Sequence, residues 1–257
     1  MSSTAASLAA VRAQFGPTAG AYAISRVHAG GPDLEAMLAA ASLTGTERVL
    51  DLGTGAGHTA LAFAPHSAEV VGIDVTPEMI AVAQQEATRR GLANVRYEEA
   101  DASKLPFSGA SFDLVLSRHC AHHLAEPLAA LREARRVLKR GGRFLLVDAV
   151  APEDAALDTF LNTVEFLRDY SHVRDWRASE WVRMFGQAGF EAQVLDRIPL
   201  PLDGDDWVAR MRTPGTKAKL LRELFREANA AQRAVFDIRD EPWGFTLDVA
   251  LLAATAV

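Results

Sequence analysis

The sequence has few of the features that mark secreted, membrane or nucleic-acid-binding proteins. Cys120 is its one cysteine, which excludes an intrachain disulfide and a zinc site built from four thiolates. No apolar run approaches the roughly 18 residues that a membrane-spanning helix needs, and the first residues lack the pattern of a signal peptide. The 27 basic residues do not outnumber the 33 acidic ones, which argues against a nucleic-acid partner. We therefore predict a cytoplasmic protein without stable membrane insertion.

The composition is otherwise ordinary, with 49% hydrophobic and 23% charged residues, the balance of a globular protein. The length suits one sizeable domain with appendages. Residues 1–46 are rich in alanine and precede the main pattern, and a helix is predicted over residues 33–38, after Gly31-Pro32. We divide the chain into this N-terminal segment and a main domain, residues 47–257.

Short apolar strands alternate with helices from residue 47 onward. Helices are predicted over residues 58–64, 77–90 and 128–140. The strands are near-continuous apolar runs, so each is expected to be covered on both faces, in a mainly parallel sheet between layers of helices. The sequence thus predicts an α/β fold. The five predicted strands are residues 49–52, 70–74, 95–97, 112–117 and 144–148.

The alternation of strands and helices changes after residue 150. A strand is predicted over residues 190–198, a loop over 199–204 and a last strand over 245–257. We interpret residues 200–240 as an inserted cap rather than a separate domain. Helices are predicted over residues 155–170, 179–188, 208–211 and 217–230.

A glycine-rich turn follows the first strand of the main domain. Its glycines are Gly53, Gly55 and Gly57, and glycine lets the backbone approach a ligand closely. In open parallel sheets, ligands bind at the carboxyl ends of the strands. The dinucleotide pattern G-x-G-x-x-G would need a glycine at His58, and a lysine-bearing phosphate loop is absent. The turn therefore predicts a ligand site without a dedicated phosphate clamp.

Two carboxylates follow the next two strands. Asp74 ends the second strand, 21 residues after Gly53, where a carboxylate can accept hydrogen bonds from both hydroxyls of a ribose. Asp101 follows the third strand, where it can accept from an exocyclic amine such as that of adenine. Together the three strand ends predict a nucleoside ligand without phosphates.

These motifs, in this order, resemble the class I S-adenosylmethionine-dependent methyltransferases. Within that class the sequence is most similar to the small-molecule methyltransferases of the ubiquinone/menaquinone-biosynthesis type. The resemblance covers about residues 45–150. It is carried by Asp51-Leu52-Gly53-Thr54-Gly55-Ala56-Gly57, Gly72-Ile73-Asp74, Asp101-Ala102, Leu105-Pro106-Phe107, Phe112-Asp113-Leu114-Val115 and Arg136-Val137-Leu138-Lys139-Arg140-Gly141-Gly142.

The resemblance implies a three-layer, Rossmann-like sheet of seven strands, mostly parallel with an antiparallel last strand. It implies methyl transfer from S-adenosyl-L-methionine, with S-adenosyl-L-homocysteine as product, to a small-molecule acceptor whose reacting atom is carbon, oxygen or nitrogen. Residues 1–46 would form a helical N-terminal lid, since Phe15-Gly16-Pro17 and residues 21–28 resemble the family's lid segment. Residues 151–180 and 200–240 would contribute a substrate cap. A monomer or a homodimer is compatible with the sequence.

The resemblance also implies a set of cofactor-binding residues. Asp51, through water, and the backbone of the glycine turn would hold the methionine part of the cofactor, and Asp74 the ribose. Asp101 would face the adenine together with Ala102. The full set is Tyr22, His28, Asp51, Gly53, Thr54, Gly55, Gly57, His58, Asp74, Val75, Met79, Asp101, Ala102, Ser117 and Arg118.

Two further pairs in that set have less specific roles. Ser117 and Arg118 would flank the sulfonium end of the cofactor. Tyr22, on the N-terminal segment, would close over the methionine carboxylate or simply pack on the sheet, and His28 is open to the same two interpretations.

Candidates for a general base follow the fourth strand at the same sheet edge as the glycine turn. They are His119, His122 and His123, and histidine is the side chain best suited to proton transfer near neutral pH. Alternatively, these histidines only hydrogen-bond the loop backbone or line the adenine. No metal site is predicted, because no carboxylate partner for the histidines is obvious in the sequence.

The region after residue 150 is expected to build the acceptor cavity. Arg168, Tyr170 and His172 stand where members of the family place substrate-facing residues, although packing roles would explain them equally well. The aromatic residues expected near the rim of the cavity are Phe160, Phe166, Tyr170, Trp176, Trp181 and Trp207.

Two other functions fit parts of the pattern. A nicotinamide-dependent oxidoreductase shares the sheet, the glycine turn and an acid at the position of Asp74. Its pattern has glycine at position 58, where this sequence has histidine. A non-enzymatic S-adenosylmethionine-binding protein would keep the nucleoside site and lack an acceptor cavity.

Overall fold

One seven-stranded sheet lies at the centre of the structure, a computed structural model that describes residues 3–20 and 30–257. The strand order is β3-β2-β1-β4-β5-β7-β6. β1 to β5 pair in parallel, whereas β7 is antiparallel to both β5 and β6. The predicted Rossmann-like sheet with an antiparallel last strand is confirmed. The strands are β1 Arg48–Leu52, β2 Glu69–Asp74, β3 Val95–Glu99, β4 Phe112–Arg118, β5 Leu138–Ala149, β6 Phe190–Asp203 and β7 Gly244–Ala256.

Helices cover both faces of the sheet, which explains the continuous apolar strands. Val49 and Leu50 are neighbours in β1 and both are fully buried, yet they belong to different hydrophobic clusters. Because successive side chains of a strand point to opposite faces, a strand between two helix layers needs apolar residues at every position. The helices of the described residues are α1 Ser3–Phe15, α2 Pro32–Ala41, α3 His58–Phe63, α4 Pro77–Arg89, α5 Pro127–Val137, α6 Ala155–Arg168, α7 Ala178–Gln187, α8 Gly204–Arg210, α9 Gly215–Arg226 and α10 Ala230–Val235.

Proline sets the start of three helices that flank the sheet. Pro32, Pro77 and Pro127 are the first residues of α2, α4 and α5. Proline has the backbone angle of a first helical turn, and the N–H that it lacks would have no partner in the helix there. These helix starts place α4 after β2 and α5 after β4, as the alternating pattern predicts.

The loop predicted over residues 199–204 is wrong. Residues 199–203 continue β6, with Pro199 opposite Asp248 and Pro201 opposite Thr246 of β7. β6 is an edge strand of the sheet. Pro199 and Pro201 are two residues apart, so the backbone nitrogens of both lie on the same, outer side of the strand. No partner strand lies on that side, so the missing N–H groups cost no hydrogen bond within the sheet. The sequence shows the prolines but not the edge position that tolerates them.

The predicted end of the helix over residues 128–140 is also wrong. α5 ends at Val137, and β5 begins at Leu138 rather than at residue 144. The pairing of β4 with β5 shifts register between Phe112 and Leu114. Gly141 has a φ of 73°, a conformation that favours glycine. The glycine pair thus belongs to an irregularity in the strand and does not mark the end of a helix.

The helices after β6 differ from their predicted ranges. The helix predicted over residues 208–211 covers Gly204–Arg210. The helix predicted over residues 217–230 ends at Arg226, and the sequence analysis did not predict α10. Asn229 caps α10, since its side chain accepts the Gln232 N–H. A polar residue that favours helix starts therefore divides the segment into two helices.

The N-terminal helix α1 contacts the ends of two strands and a segment far away in the sequence. Arg12 donates to the Val75 carbonyl and to Glu99 Oε1, each across 2.7 Å. Gln14 donates to the Met211 carbonyl across 2.8 Å. α1 therefore bridges the ends of β2 and β3 to the residues that follow α8. Among the residues that the structure describes, no helix is long and apolar enough to cross a membrane.

Candidate active site

The glycine turn between β1 and α3 is shaped by its neighbours. Gly53, Gly55 and Gly57 all have positive φ. A Cβ at Gly53 would collide with Cys120 Sγ, and one at Gly57 would lie 2.6 Å from Tyr97 Oη. A Cβ at Gly55 would meet open space instead. Gly53 and Gly57 therefore let the turn pack closely, whereas Gly55 exposes its backbone to a cavity.

Asp74 fixes this turn from the neighbouring strand. Its Oδ2 accepts the Gly55 N–H and its Oδ1 accepts the Thr76 N–H, both across 2.9 Å. Burial raises the pKa of the Asp74 carboxyl. The Gly55 N–H therefore already donates to a carboxylate, whereas a dinucleotide-binding turn would offer such an N–H to a phosphate. This arrangement disfavours a pyrophosphate and suits a neutral, hydroxyl-bearing ligand group.

Thirteen of the predicted site residues meet in the wall of a cavity at the carboxyl ends of the strands. Asp101 follows β3, and its Oδ1 accepts the Ser103 N–H across 2.8 Å. Three strand ends and the loop after β4 therefore share one space, as the sequence predicts. The predicted residues in the cavity wall are Gly53, Thr54, Gly55, His58, Asp74, Val75, Met79, Asp101, Ala102, Arg118, His119, His122 and His123.

Other predicted residues do not line this wall. Asp51 lies beneath the turn and accepts the Thr54 hydroxyl across 2.7 Å, and burial raises its pKa to about 7. Gly57 packs against Tyr97, and Ser117 is buried within β4 between β1 and β5. These three residues support the cavity rather than face it. Tyr22 and His28 lie outside the described residues.

His119 has a different partner from the other two histidines. It has a φ of 50°, so the segment is not helical there, and His119 and His123 do not share a helix face. Asp33 of α2 accepts from Arg118 Nε across 2.6 Å, and His119 Nε2 lies 3.0 Å from the same oxygen. Although burial opposes it, these partners lower the pKa of Asp33. His119 is thus held by a buried carboxylate.

His122 is paired with a carboxylate at the end of β5. Its Nδ1 lies 2.7 Å from Asp148 Oδ1, and its backbone N–H donates to Asp148 Oδ2 across 3.0 Å. Although burial opposes charge, Asp148 raises the pKa of His122 to about 9, and His122 lowers the pKa of Asp148. His122 is therefore an imidazolium near neutral pH. This is the carboxylate partner that the sequence did not reveal.

His123 has the opposite electrostatic character. Its Nδ1 lies 3.0 Å from the Ser171 carbonyl oxygen, and Phe15 of α1 packs edge-on against its ring at 5.1 Å. Burial, together with the charge of His122, lowers the pKa of His123 to about 4. His123 is therefore neutral near neutral pH, directly beside a charged neighbour.

The far side of the cavity contains residues that the sequence analysis missed. Glu165 is buried on α6, and it pairs with Arg168, which also faces the cavity. Glu165 and Arg168 share a helix face with buried Leu161, where charged residues are unusual, so a signal was available in the sequence. The other residues on this side are Leu8, Val11, Phe15, Asp169, Asp175, Leu200, Leu202, Trp207, Arg210, Met211 and Leu247.

The predicted aromatic rim is wrong except for Trp207. Trp181 of α7 is 1% exposed and belongs to the hydrophobic core. Phe166 and Tyr170 are exposed. Phe160 and Trp176 pack against hydrophobic clusters and are not part of the cavity wall. Helical periodicity distributes these rings over several faces, which their spacing along the sequence did not resolve.

Of the positions expected to face substrate, Arg168 alone lines the cavity. Tyr170 is 61% exposed. His172 is buried behind the wall, with its Nε2 3.1 Å from Asn162 Oδ1 and its ring 5.7 Å from that of His122. His172 therefore lies next to the site without lining the cavity.

Comparison with known proteins decides the family. A sequence profile described as "Methyltransferase domain" matches residues 50–146. The chain is 41% identical over 242 residues to "Uncharacterized methyltransferase YcgJ" of Bacillus subtilis, an alignment that covers 93% of this chain and 96% of that protein. The chain belongs to the methyltransferase family.

Structural comparison gives this methyltransferase the same fold. The crystal structure of YcgJ from Bacillus subtilis aligns with a TM-score of 0.84 and 40% identity, over 87% of this chain and 97% of that one. A "Demethylmenaquinone methyltransferase" of Thermus thermophilus is 42% identical over 112 residues, which are 43% of this chain and 50% of that protein. The similarity to that protein therefore covers less than half of this methyltransferase.

Proposed function

We propose that this methyltransferase transfers the methyl group of S-adenosylmethionine to a small-molecule acceptor. One observation supports the proposal above the others. A single cavity wall joins the strand-end residues Gly55, Asp74 and Asp101 to a second half built by α1, α6 and α8. A site with two such halves suits a nucleoside donor and a separate acceptor.

The residues of the first half fit S-adenosylmethionine. The open space beside Gly55 admits a ligand against the backbone, Asp74 is placed for the ribose, and Asp101 is placed for the adenine. When bound, S-adenosylmethionine supplies a methyl group on a positively charged sulfur, which is a strong electrophile without further activation. Arg118 and His119, at the end of β4, would lie beside the methionine end.

The protein's main task is then to orient the acceptor and to exclude water. We infer that α1, with the rest of residues 1–46, acts as a lid, because Arg12 and Gln14 connect it to both sides of the cavity. Residues 151–180 and 200–240 act as the substrate cap, and Arg168 and Trp207 are among their contributions to the wall. Carbon, oxygen and nitrogen acceptors all remain compatible with this arrangement.

Calorimetric titration tests the cofactor. S-adenosylhomocysteine should bind, and NADH should not. Binding of NADH without binding of S-adenosylhomocysteine would favour the nicotinamide-dependent oxidoreductase instead. The arrangement of Gly55 and Asp74 argues against that alternative, because their hydrogen bond engages a backbone donor that a pyrophosphate would need.

A second experiment tests catalysis. The protein is incubated with S-adenosylmethionine and a metabolite extract, and products are scored by the mass gain of one methyl group. At least one metabolite should gain that mass only when the protein is present. Tight S-adenosylhomocysteine binding without any such product would support a non-enzymatic binding protein. A cytoplasmic location and a monomeric or dimeric state stay predictions from the sequence.

A further inference from the structure

Two adjacent histidines in the cavity wall differ in charge and in hydrogen bonding. The ring centroids of His122 and His123 lie 4.2 Å apart, with 49° between the ring planes. Both residues line the cavity that the acceptor would enter. Their different partners determine which ring nitrogen carries a proton, and this determines what kind of group the two rings can bind together.

The partners of His123 place its proton on Nδ1. The Ser171 carbonyl, 3.0 Å from Nδ1, can only accept a hydrogen bond. The Ser171 hydroxyl lies 3.3 Å from the same nitrogen, and it donates its own proton to Asp169 Oδ1 across 2.7 Å. Both Ser171 oxygens therefore accept from His123. In the neutral ring this leaves Nε2 with a free electron pair.

Asp169 holds Ser171 in this orientation. The same Asp169 oxygen also accepts the Ser171 backbone N–H across 2.8 Å, and the residue is 2% exposed. Asp169 and Ser171 are therefore positioning residues for His123. Their effect is to fix one tautomer of the ring rather than to contact the acceptor.

The partners of His122 give the opposite result. Asp148 Oδ1 also accepts the Ala149 N–H across 3.0 Å, so the carboxylate is held by backbone donors as well as by the ring. His122 therefore carries a proton on Nδ1, and, as an imidazolium, a second one on Nε2. Within residues 3–20 and 30–257, neither His122 Nε2 nor His123 Nε2 has a hydrogen-bond partner.

We propose that His122 and His123 form a hydroxyl-binding pair that recognises the methyl acceptor. His122 Nε2–H donates to the acceptor's oxygen, and His123 Nε2 accepts the hydroxyl hydrogen. This inference rests on the proposed function and adds an acceptor class to it: a largely apolar molecule with a hydroxyl group.

The chemistry of the pair disfavours charged polar groups. An ammonium cannot accept from His122, and the imidazolium repels it. A carboxylate cannot donate to His123. The remaining wall supports an apolar body for the acceptor, through Leu200, Leu202 and Trp207.

Several elements pack around the pair of His122 and His123, and most of them contribute charged groups. Arg168 is paired with Glu165 at 3.1 Å, and Asp175 carries a buried carboxyl whose pKa burial raises. Asp148 is the ion-pair partner of His122, and α1 contributes the uncharged ring of Phe15. The titratable groups facing the pair are Asp148, Glu165, Arg168, Asp169, His172 and Asp175.

Nitrogen NMR of the full chain, saturated with S-adenosylhomocysteine and labelled at its 7 histidines, tests the proton positions. Spectra of His122→Asn and His123→Asn assign the two rings. At neutral pH, His123 should be a neutral Nδ1–H tautomer and His122 should be protonated on both nitrogens. A proton on Nε2 of neutral His123, or a neutral His122, would overturn the proposal.

Binding of phenol, compared with toluene, tests recognition of the hydroxyl in the same sample. Phenol should bind about fivefold to tenfold more tightly than toluene, the effect of a hydrogen bond to a charged or well-placed partner. His123→Asn keeps a donor for the Ser171 carbonyl but lacks Nε2, so it should reduce that preference. His66→Asn, on an exposed residue away from the cavity, should leave it unchanged.

The outcomes separate this proposal from the proposed function. Equal affinity for phenol and toluene, or a phenol preference that His123→Asn leaves unchanged, would overturn the hydroxyl-binding pair while S-adenosylhomocysteine binding still supports the methyltransferase site. Failure to bind S-adenosylhomocysteine would instead contradict the cofactor assignment.

Discussion

Arg118 Nε donates to Asp33 Oδ2 across 2.6 Å, and this ion pair joins the start of α2 to the end of β4. Both side chains are almost fully buried, at 3% and 7% exposure. The pair therefore holds the loop that carries the site histidines against a helix far away in the sequence. Replacing the Asp33 carboxylate takes a buried countercharge away from Arg118.

Asp33→Asn should therefore destabilise the protein. We expect a loss of about 3–5 kcal/mol in the free energy of unfolding, the range for breaking a buried ion pair. Urea unfolding measures it. The control is Glu223→Gln, which breaks the exposed pair with Arg226 and should cost only about 0–1 kcal/mol. An equal effect of the two substitutions would contradict the structural role of Asp33.

Asp74→Ala should weaken cofactor binding. Loss of a charged acceptor for the ribose is expected to cost about 1.5–3 kcal/mol of binding free energy for S-adenosylhomocysteine, measured by calorimetry. Glu191→Ala, on the exposed edge strand, is the matched control and should leave the affinity unchanged. Unaltered affinity in Asp74→Ala would count against the ribose role.

The His122–Asp148 pair should make stability depend on alkaline pH. A histidine whose folded pKa is raised contributes stability that is fully present below its unfolded pKa of 6.5 and is lost as pH rises through the folded value of about 9. We expect the wild type to lose about 3 kcal/mol more than His122→Gln across that window. The pKa values of His123 and His172 are lowered, so the titration of these residues changes stability only below pH 6.5, outside that window. Parallel stability curves for the two proteins would refute the pairing.

Arg12→Ala should loosen the lid. Arg12 anchors α1 to the Val75 carbonyl and Glu99 through exposed contacts, so the expected effect is modest: S-adenosylhomocysteine should dissociate about twofold to fivefold faster. Stopped-flow fluorescence measures the rate. Arg89→Ala, which removes an exposed ion pair with Glu86 on α4, should not change it. Identical rates for all three proteins would show that α1 does not retain the cofactor.

Local patterns predicted the half of the site that depends on strand ends. The apolar runs of β1 and β2 and the turn at Gly53 to Gly57 place Gly55 beside Asp74 wherever two such strands lie side by side in parallel. Nothing beyond the order of these motifs is needed. The places of Gly55, Asp74 and Asp101 in the cavity wall follow from it, whereas the other cofactor-binding residues and the seven-stranded sheet were implied by the family resemblance.

The other half depends on contacts between distant segments, and the sequence predicted little of it. Asp148 meets His122 only because β5 lies beside β4, and Ser171 meets His123 only because the segment after α6 folds over the loop. Pro199 and Pro201 are compatible with β6 because that strand is at the edge. Each of these facts is a property of the assembled fold rather than of a local window.

A crystal structure of the protein with S-adenosylhomocysteine tests the central claim most directly. The account predicts the ribose hydroxyls on Asp74, the adenine beside Asp101 and Ala102, and the sulfur facing the space that His122 and His123 border. Electron density for the nucleoside anywhere else, or a sulfur turned away from the two histidines, would contradict it.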